Sequence, residues 1–312
     1  MKKKTKLFII ALLLILCTGC TKTLKDGKEV ITNPDTGQTL TSNILCRPSD
    51  EKLLEKYSEY DEKLTVSLDE LPECKSFTPS KLKYNGLWES IFVKPLSYII
   101  LKLGYLVKNM GISVMIIGLL IRLIMMPIQI KTVKQSENMK KIQPEMAKIE
   151  KKYANKTDND SLMMKSQETM MLYKKYQINP VSGCLLAFIQ LPLFFAFLEA
   201  INRTPAIFEG TFLTMNLGMT PTTGIASHNY IYIALIVLII LTTFLSFKMT
   251  MSGQNGQPEM QEQMKFMFIF MIATVAIASL SLPTAIALYW IVTNGFAVIQ
   301  NLIIKKIIGK RN

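Results

Sequence analysis

The sequence predicts an all-α integral membrane protein with five transmembrane helices, an interfacial outer helix and a cytoplasmic helical hairpin. Of its 312 residues 49% are hydrophobic, and they fall in unbroken runs rather than scattered through amphipathic stripes, as lipid-facing structure requires. The formal charge of +13 is localised: residues 21–110 balance 13 basic against 13 acidic side chains, whereas 131–180 hold 11 lysines against 6 acids, and four more basic residues follow Ile304. Such an excess marks cytoplasmic loops, so charge and hydropathy can be checked against each other. A basic surface also holds phosphate, but neither aromatic interleaving nor a known binding module accompanies these lysines, and no specific nucleic-acid partner is expected.

Residues 1–19 read as a secretion signal: Lys2, Lys3, Lys4 and Lys6, an apolar run from Leu7 to Leu16, then Cys17-Thr18-Gly19-Cys20. Small residues before Cys20 are similar to a lipoprotein signal, in which that cysteine is acylated; Cys17 departs from the usual leucine. An uncleaved signal anchor is the other reading. Either places Thr21 outside the cytoplasm. Residues 20–86 are polar and broken by Pro34, Gly37, Pro48, Pro72 and Pro79, which suits an extracytoplasmic tether or small cap with one short helix near Glu51 to Tyr60. Cys46 and Cys74 either form a bridge there or stand as two separate thiols.

Residues 87–108 are apolar but interrupted by Glu89, Lys94, Pro95, Lys102 and Gly104, which fits a helix lying in the outer interface better than one crossing the bilayer. Residues 109–304 form the core, with spans expected at Ile112–Ile130, Val181–Ala200, Tyr230–Phe247, Phe266–Leu282 and Thr284–Ile304. Five crossings that begin outside end inside. The loops this assigns to the cytoplasm are the lysine-rich ones, while the main outer loop, Ile201–Asn229, has Arg203 as its one Lys or Arg. Pro283 forces a tight outer hairpin between the last two spans. In 131–180, Met139, Ile142, Met146, Ile149 and Tyr153 recur at steps of three and four, with Leu162, Met163, Met170, Tyr173 and Tyr176 facing back from a second helix. Residues 305–312 are a short basic tail.

Catalytic constellations are scarce. His228, the one histidine, has no second ligand at metal or triad spacing, and there is no Walker lysine or Gly-rich fingerprint. No cofactor, metal or bond-making chemistry is expected. Arg122 is the anomaly, because an arginine inside a span costs on the order of 2.5–3.5 kcal/mol. On a straight helix at about 100° per residue, Gly111, Gly118 and Gln129 share its face, a stripe able to line a wet cavity. No Asp or Glu lies inside the spans except Glu199 at the outer end of the second, which favours hydration of the arginine over pairing. Gln190, Thr242, Thr243, Ser246, Thr293, Asn294 and Gln300 add polar groups at membrane depth, and Tyr289 and Trp290 sit deeper than an interfacial belt, suited either to packing or to a groove wall.

These residues resemble the YidC/Oxa/Alb family of membrane protein insertases, in the lipoprotein form typical of Gram-positive bacteria. The resemblance runs from Trp88 to Lys306. It rests on Gly118-Leu-Leu-Ile-Arg122 through Pro127, on Met170 through Asn179-Pro180 to Cys184, on Ile189-Gln-Leu-Pro192 with Phe194-Phe195, and on Pro283 with Leu288-Tyr-Trp290 and Asn294. It implies five spans around a hydrophilic groove open to the cytoplasm and lipid, with Arg122 projecting into it. Gly118, Gln129, Gln190, Trp290 and Asn294 are the other candidate groove residues. It also implies nascent membrane proteins as clients, no nucleotide use, and the Sec translocon, the signal recognition particle receptor and the ribosome as candidate partners alongside membrane lipids. The short tail departs from relatives with a long ribosome-binding extension. The expected location is the bacterial plasma membrane, with a lipid-anchored N-terminus outside and the C-terminus in the cytoplasm. A small secondary transporter or channel is the runner-up, but no inverted repeat or intramembrane carboxylate supports it.

Overall fold

The computed structural model describes residues 21–179, 182–251 and 258–309. Residues 1–20, with Cys17 and the lipidation candidate Cys20, lie outside them, as do Pro180, Val181, residues 252–257 and the last three residues of the chain.

Residues 21–84 form a folded cap. Strands β1 (Lys25–Asp26) and β2 (Glu29–Val30) pair antiparallel around Gly27, whose φ of 59° suits a tight hairpin turn. Helix α1 (Glu51–Ser58) starts where the Asp50 carboxylate accepts the Leu53 N–H at 2.9 Å. Leu53 and Tyr57, four apart on its inner face, pack with Leu24, Ile31, Leu40, Ile44, Leu68 and Leu71. Burial pushes the Tyr57 phenol up to about 12. Cys46 and Cys74 are bridged, closing a loop with a sequence separation of 28. A loop of that length contributes about 3–4 kcal/mol in the chain-entropy account. Cys46→Ser/Cys74→Ser is therefore expected to lower cap stability by that order, read as faster proteolysis within residues 21–84 of the intact protein.

The cap does not hang as a tether. The Leu45 N–H donates to the Arg203 carbonyl at 2.8 Å, Thr220 N–H to the Thr36 carbonyl at 2.8 Å, and Ser49 N–H to Glu209 at 2.7 Å. Gly37 has φ of 70°, and a Cβ there would meet the Thr223 hydroxyl at 2.2 Å, so only glycine lets the two loops approach. The isolated sequence shows a polar, proline-broken stretch; its order comes from a small core of its own, a disulfide and these bonds to residues far away in the chain.

A π-helical turn at Glu89–Val93 leads into α2 (Lys94–Val107), where Pro95 is tolerated in the first turn and Lys108 ends the helix at φ 55°. By length and composition Glu89–Val107 is able to cross a membrane. The next segment corrects an expectation. Ile112–Ile130 is not one straight span: α3 (Met110–Ile124) and α4 (Met126–Tyr153) meet at a 58° bend. Pro127 explains it, since its ring has no N–H to give the preceding turn and clashes with it. The straight-helix projection that set Gln129 on the face of Arg122 therefore fails beyond Met125. Gly111 differs too, because a Cβ there would touch Phe212 and Leu217 at 3.0 and 3.1 Å, so it is packed against the segment between the second and third predicted spans rather than lining a cavity.

Helix α4 runs into the hairpin and turns back as α5 (Asn159–Lys175), capped by Asp158 accepting from Ser161 N–H. Ile142, Met146, Leu172 and Ile178 are its buried centre, with Met139, Ile149, Tyr173 and Tyr176 against them. Leu162, Met163 and Met170 do not face back as the sequence suggested; they are more than half exposed. Met170 precedes Leu172 by two residues, about 200° around the helix, and so lies on the far side. Lys152 and the Tyr153 hydroxyl donate to Glu168, while Lys175 and the Tyr176 hydroxyl donate to Glu145. The Tyr176 bond holds Glu145 below the usual carboxylate range, and the Lys152 bond does the same for Glu168. Depressed carboxylates stabilise above their unfolded pKa and lose that contribution as pH falls through the folded value. Amide exchange across 145–176, corrected for intrinsic rate, is expected to accelerate below about pH 4, and Glu145→Gln/Glu168→Gln should abolish that dependence.

The remaining elements are α6 (Ser182–Asn202), α7 (Pro205–Phe208), the pair β3 (Thr211–Phe212) and β4 (Met215–Asn216), α8 (Pro221–Ala226), α9 (Ile231–Met251), α10 (Pro258–Ser281) and α11 (Thr284–Gly309). After Pro283, the Thr284 and Ala285 N–H groups, orphans of the first turn of α11, donate to the Met219 and Leu217 carbonyls between β4 and α8. Among the described residues three helices are long and apolar enough to cross a membrane, Glu89–Val107, Ile231–Met249 and Thr284–Ile308, or four if the bent pair is one span. Pro192–Asn202 and Phe268–Ser281 are shorter apolar helices.

The chain divides into two compact units. One comprises residues 1–118, 191–237 and 278–290; the other comprises 119–190, 238–277 and 291–312. The division therefore falls within α3, between Gln190 and Leu191 of α6, and within α9, α10 and α11.

Candidate functional site

In the second unit the bend after Arg122 gives the arginine its setting. Arg122 lies in the last turn of α3, where the aligned peptide dipoles present partial negative charge, so the broken helix itself favours a cation at this point. The same break leaves late carbonyls of α3 without a following helical N–H, and the Gln300 amide of α11 donates to the Arg122 carbonyl at 3.4 Å. The half-buried guanidinium is met from α6: its Nη1 donates to Gln190 Oε1 at 3.4 Å. Three helices thus converge on one charged residue through neutral amides.

Other polar groups of this unit are bonded between or along helices. The Asn294 amide donates to the Thr243 hydroxyl at 3.1 Å, and both residues are buried. Thr132 and Asn301 donate to the carbonyls of Ile128 and Ala297 in their own helices. Gln129 is 4% exposed, beyond the bend on α4. Gly118 and Trp290 belong to the first unit. Gly118 is buried in α3, while Trp290 meets Phe194 edge-on at 5.4 Å beside Tyr289, which stacks on Phe197 at 4.0 Å. The geometry therefore brings Arg122 together with Gln190 directly and with Gln300 through its backbone, and places Trp290 in an aromatic cluster. His228 is an exposed turn residue at φ 60°.

Sequence reasoning missed a buried ionic cluster in the first unit. Glu89 pairs with Lys94 at 3.0 Å and with Arg203 at 2.6 Å; Arg203 also pairs with Glu199 at 2.8 Å. The Trp88 indole donates to Glu199 at 2.8 Å, and Arg203 Nε donates to the Asn43 carbonyl at 2.6 Å. Glu199 is therefore committed near the C-terminal end of α6, and Glu89 and Lys94, read from sequence as interfacial charges, are buried. The one available signal was the i, i+4 spacing of Glu199 and Arg203.

Residues 102–311 match the family model described as 60Kd inner membrane protein. The membrane protein insertase YidC of Oceanobacillus iheyensis is 38% identical over 226 residues, 71% of this chain and 85% of that protein. The chain belongs to the YidC/Oxa/Alb insertase family. YidC 2 of Bacillus anthracis is 37% identical over 228 residues, covering 73% of this chain and 84% of the relative, and YidC 2 of Listeria innocua is 37% identical over 220 residues, 70% and 72%. A crystal structure described as active YidC insertase with the first transmembrane domain resolved is 24% identical, with a TM-score of 0.49 over 81% of this chain and 52% of that one. All the candidate groove residues lie inside the stretch matched by the family model. The cap, Glu89 and Lys94 lie outside it, so the buried cluster joins family core to a segment that the family model does not cover.

Proposed function

We propose that this chain is a membrane protein insertase that receives client transmembrane segments from the cytoplasm and releases them into the bilayer, alone or beside the Sec translocon. The observation that carries the reading is Arg122 at the broken end of an apolar helix, its guanidinium donating to the Gln190 amide oxygen and its backbone carbonyl accepting from the Gln300 amide. A guanidinium so placed attracts the short acidic outer tail that a client must carry across hydrocarbon, and polar surroundings shorten the dry path. Burial of the following apolar segment in lipid supplies the drive, about 25 cal/mol per Å². No nucleotide is needed.

In the arrangement proposed here the spans surround a groove that is open to the cytoplasm and lipid, with Gln129, Gln190 and Asn294 of the second unit on its wall beside Arg122. Residues 87–108 lie in the outer interface, Cys20 carries a lipid anchor outside, and the tail lies inside. The hairpin of α4 and α5, with its exposed Met163, Met164, Met170 and Met171, is the first contact for clients and for targeting factors such as the signal recognition particle receptor or the ribosome; methionine adapts to varied apolar partners. The test is reconstitution of the purified chain alone in liposomes, with a single-span client and a solute-flux assay run together. Client insertion without flux is expected, and flux without insertion would make the protein a transporter or channel.

A further inference from the structure

The turn between β3 and β4, in the first unit, carries a side chain that its position does not suit. Leu213 and Thr214 form the two-residue loop of that hairpin, and Leu213 has φ of 54°. Two-residue hairpin loops take glycine or asparagine at such a position, because a bulky side chain there crowds its own backbone. Leu213 is also 76% exposed. An exposed leucine alone needs no explanation, but here a strained backbone holds an apolar side chain clear of the protein.

The tip stands out while the base is fixed. Met215 and Leu217 are buried, and the Leu217 N–H donates to the Gly210 carbonyl at 3.0 Å. The Asn109 amide, at the junction of α2 and α3, donates to the Thr211 carbonyl at 3.1 Å, and Phe212 lies so close to Gly111 that a Cβ there would meet it at 3.0 Å. The hairpin therefore rests where two apolar helices meet. Leu106 and Ile112, three residues before and after Asn109, are 78% and 36% exposed, and Lys108 is exposed between them. Apolar side chains turned outward beside a lysine fit the boundary of a phospholipid layer, which takes the former among its chains and the latter among its phosphates. A stable protein interface buries about 800 Å² on each partner, far more than a two-residue tip presents. We propose that the β3–β4 hairpin is a lipid anchor, with Leu213 inserted among phospholipid chains in the leaflet that receives Leu106, so that it fixes the depth of the α2–α3 junction. By sequence alone the hairpin belongs to a loop in water, Ile201–Asn229. The assignment is independent of how clients are handled.

The test is an environment-sensitive fluorescent amino acid in place of Leu213, in the full chain reconstituted into vesicles of phosphatidylethanolamine and phosphatidylglycerol. The same probe in place of Lys28, exposed in the turn of the cap hairpin, is the control. The probe at Leu213 is expected to lose most of its emission when the lipids are brominated along the acyl chain, and little of it to iodide in the water, with the reverse at Lys28. Strong iodide quenching at Leu213 places the tip in water and overturns the anchor. Protection from both quenchers means that protein covers the tip, a second copy or a client, and overturns it as well. Leu213→Asn gives a second readout, since asparagine tolerates this backbone and the fold is kept. A tip in water gains Tm from that change, by relief of strain and loss of exposed apolar surface. A tip in lipid loses Tm in the same vesicles, and a Tm that holds or rises contradicts the proposal.

Discussion

Arg122→Ala is expected to slow insertion of an acidic-tailed client by about tenfold while leaving a neutral-tailed client nearly unchanged. Two unit charges roughly 12 Å apart attract by about 1.4 kcal/mol at an effective dielectric near 20, which is a factor of ten in rate if the attraction acts in the transition state. Arg122→Lys should recover most of the loss, because the charge at the helix terminus is kept even though the guanidinium fork is not. Insertion rates measured in liposomes for matched clients differing only in tail charge check this. Equal loss for both clients would remove the electrostatic role and leave Arg122 as a packing or hydration element.

Arg203→Ala is expected to destabilise the first compact unit by about 3–5 kcal/mol, the range for breaking a buried ion pair by removing one partner. Arg203 sits at 3% exposure between Glu89 and Glu199 and donates to Asn43 of the cap. Without it, two buried carboxylates share Lys94 and the Trp88 indole, one positive charge against two negative. Thermal unfolding in detergent, with proteolysis of residues 21–84 as a second readout, should show the loss at both the core and the cap. A control with all four charges replaced by apolar residues of similar volume should be far less damaged than the single variant. Damage from the single variant no greater than that of an exposed lysine substitution would show that the cluster holds nothing together.

The contrast between these two arginines shows what the sequence made legible. Arg122 stood out because its surroundings are apolar and contiguous, and a charge in such a run needs an explanation whatever the fold. Gln190 was visible by the same argument. Arg203 and Glu89 sit in segments with other charges and far apart along the chain, so nothing local marks them as partners; only the tertiary fold brings them together. The cap was illegible for a related reason. Its turns and prolines exclude long elements, but its order rests on a small core around Tyr57, on Leu45, Thr36 and Gly37 meeting residues 203–223, and on a bridge whose pairing was open.

The bend at Met125 is a different kind of miss. Pro127 lies within the apolar run Ile112–Ile130, and hydropathy alone does not show that a new helix starts there. That single residue moved Gln129 off the face of Arg122 and created the helix terminus that now accounts for the arginine. The hairpin shows the limit of periodicity: the stripe on α4 was regular enough to place Ile142 and Met146, whereas α5 has apolar residues on two sides, and counting them put Met163 and Met170 inward. The exposed methionines are more informative outside than they would have been as core.

The most direct test of the central claim is a photoreactive amino acid in place of Ile121, next to Arg122, in the full chain challenged with a client arrested during insertion. The account predicts a crosslink between this position and the client segment that is crossing the bilayer, lost once insertion is complete. Crosslinks to lipid alone, while the client still reaches the membrane at the normal rate, would contradict it.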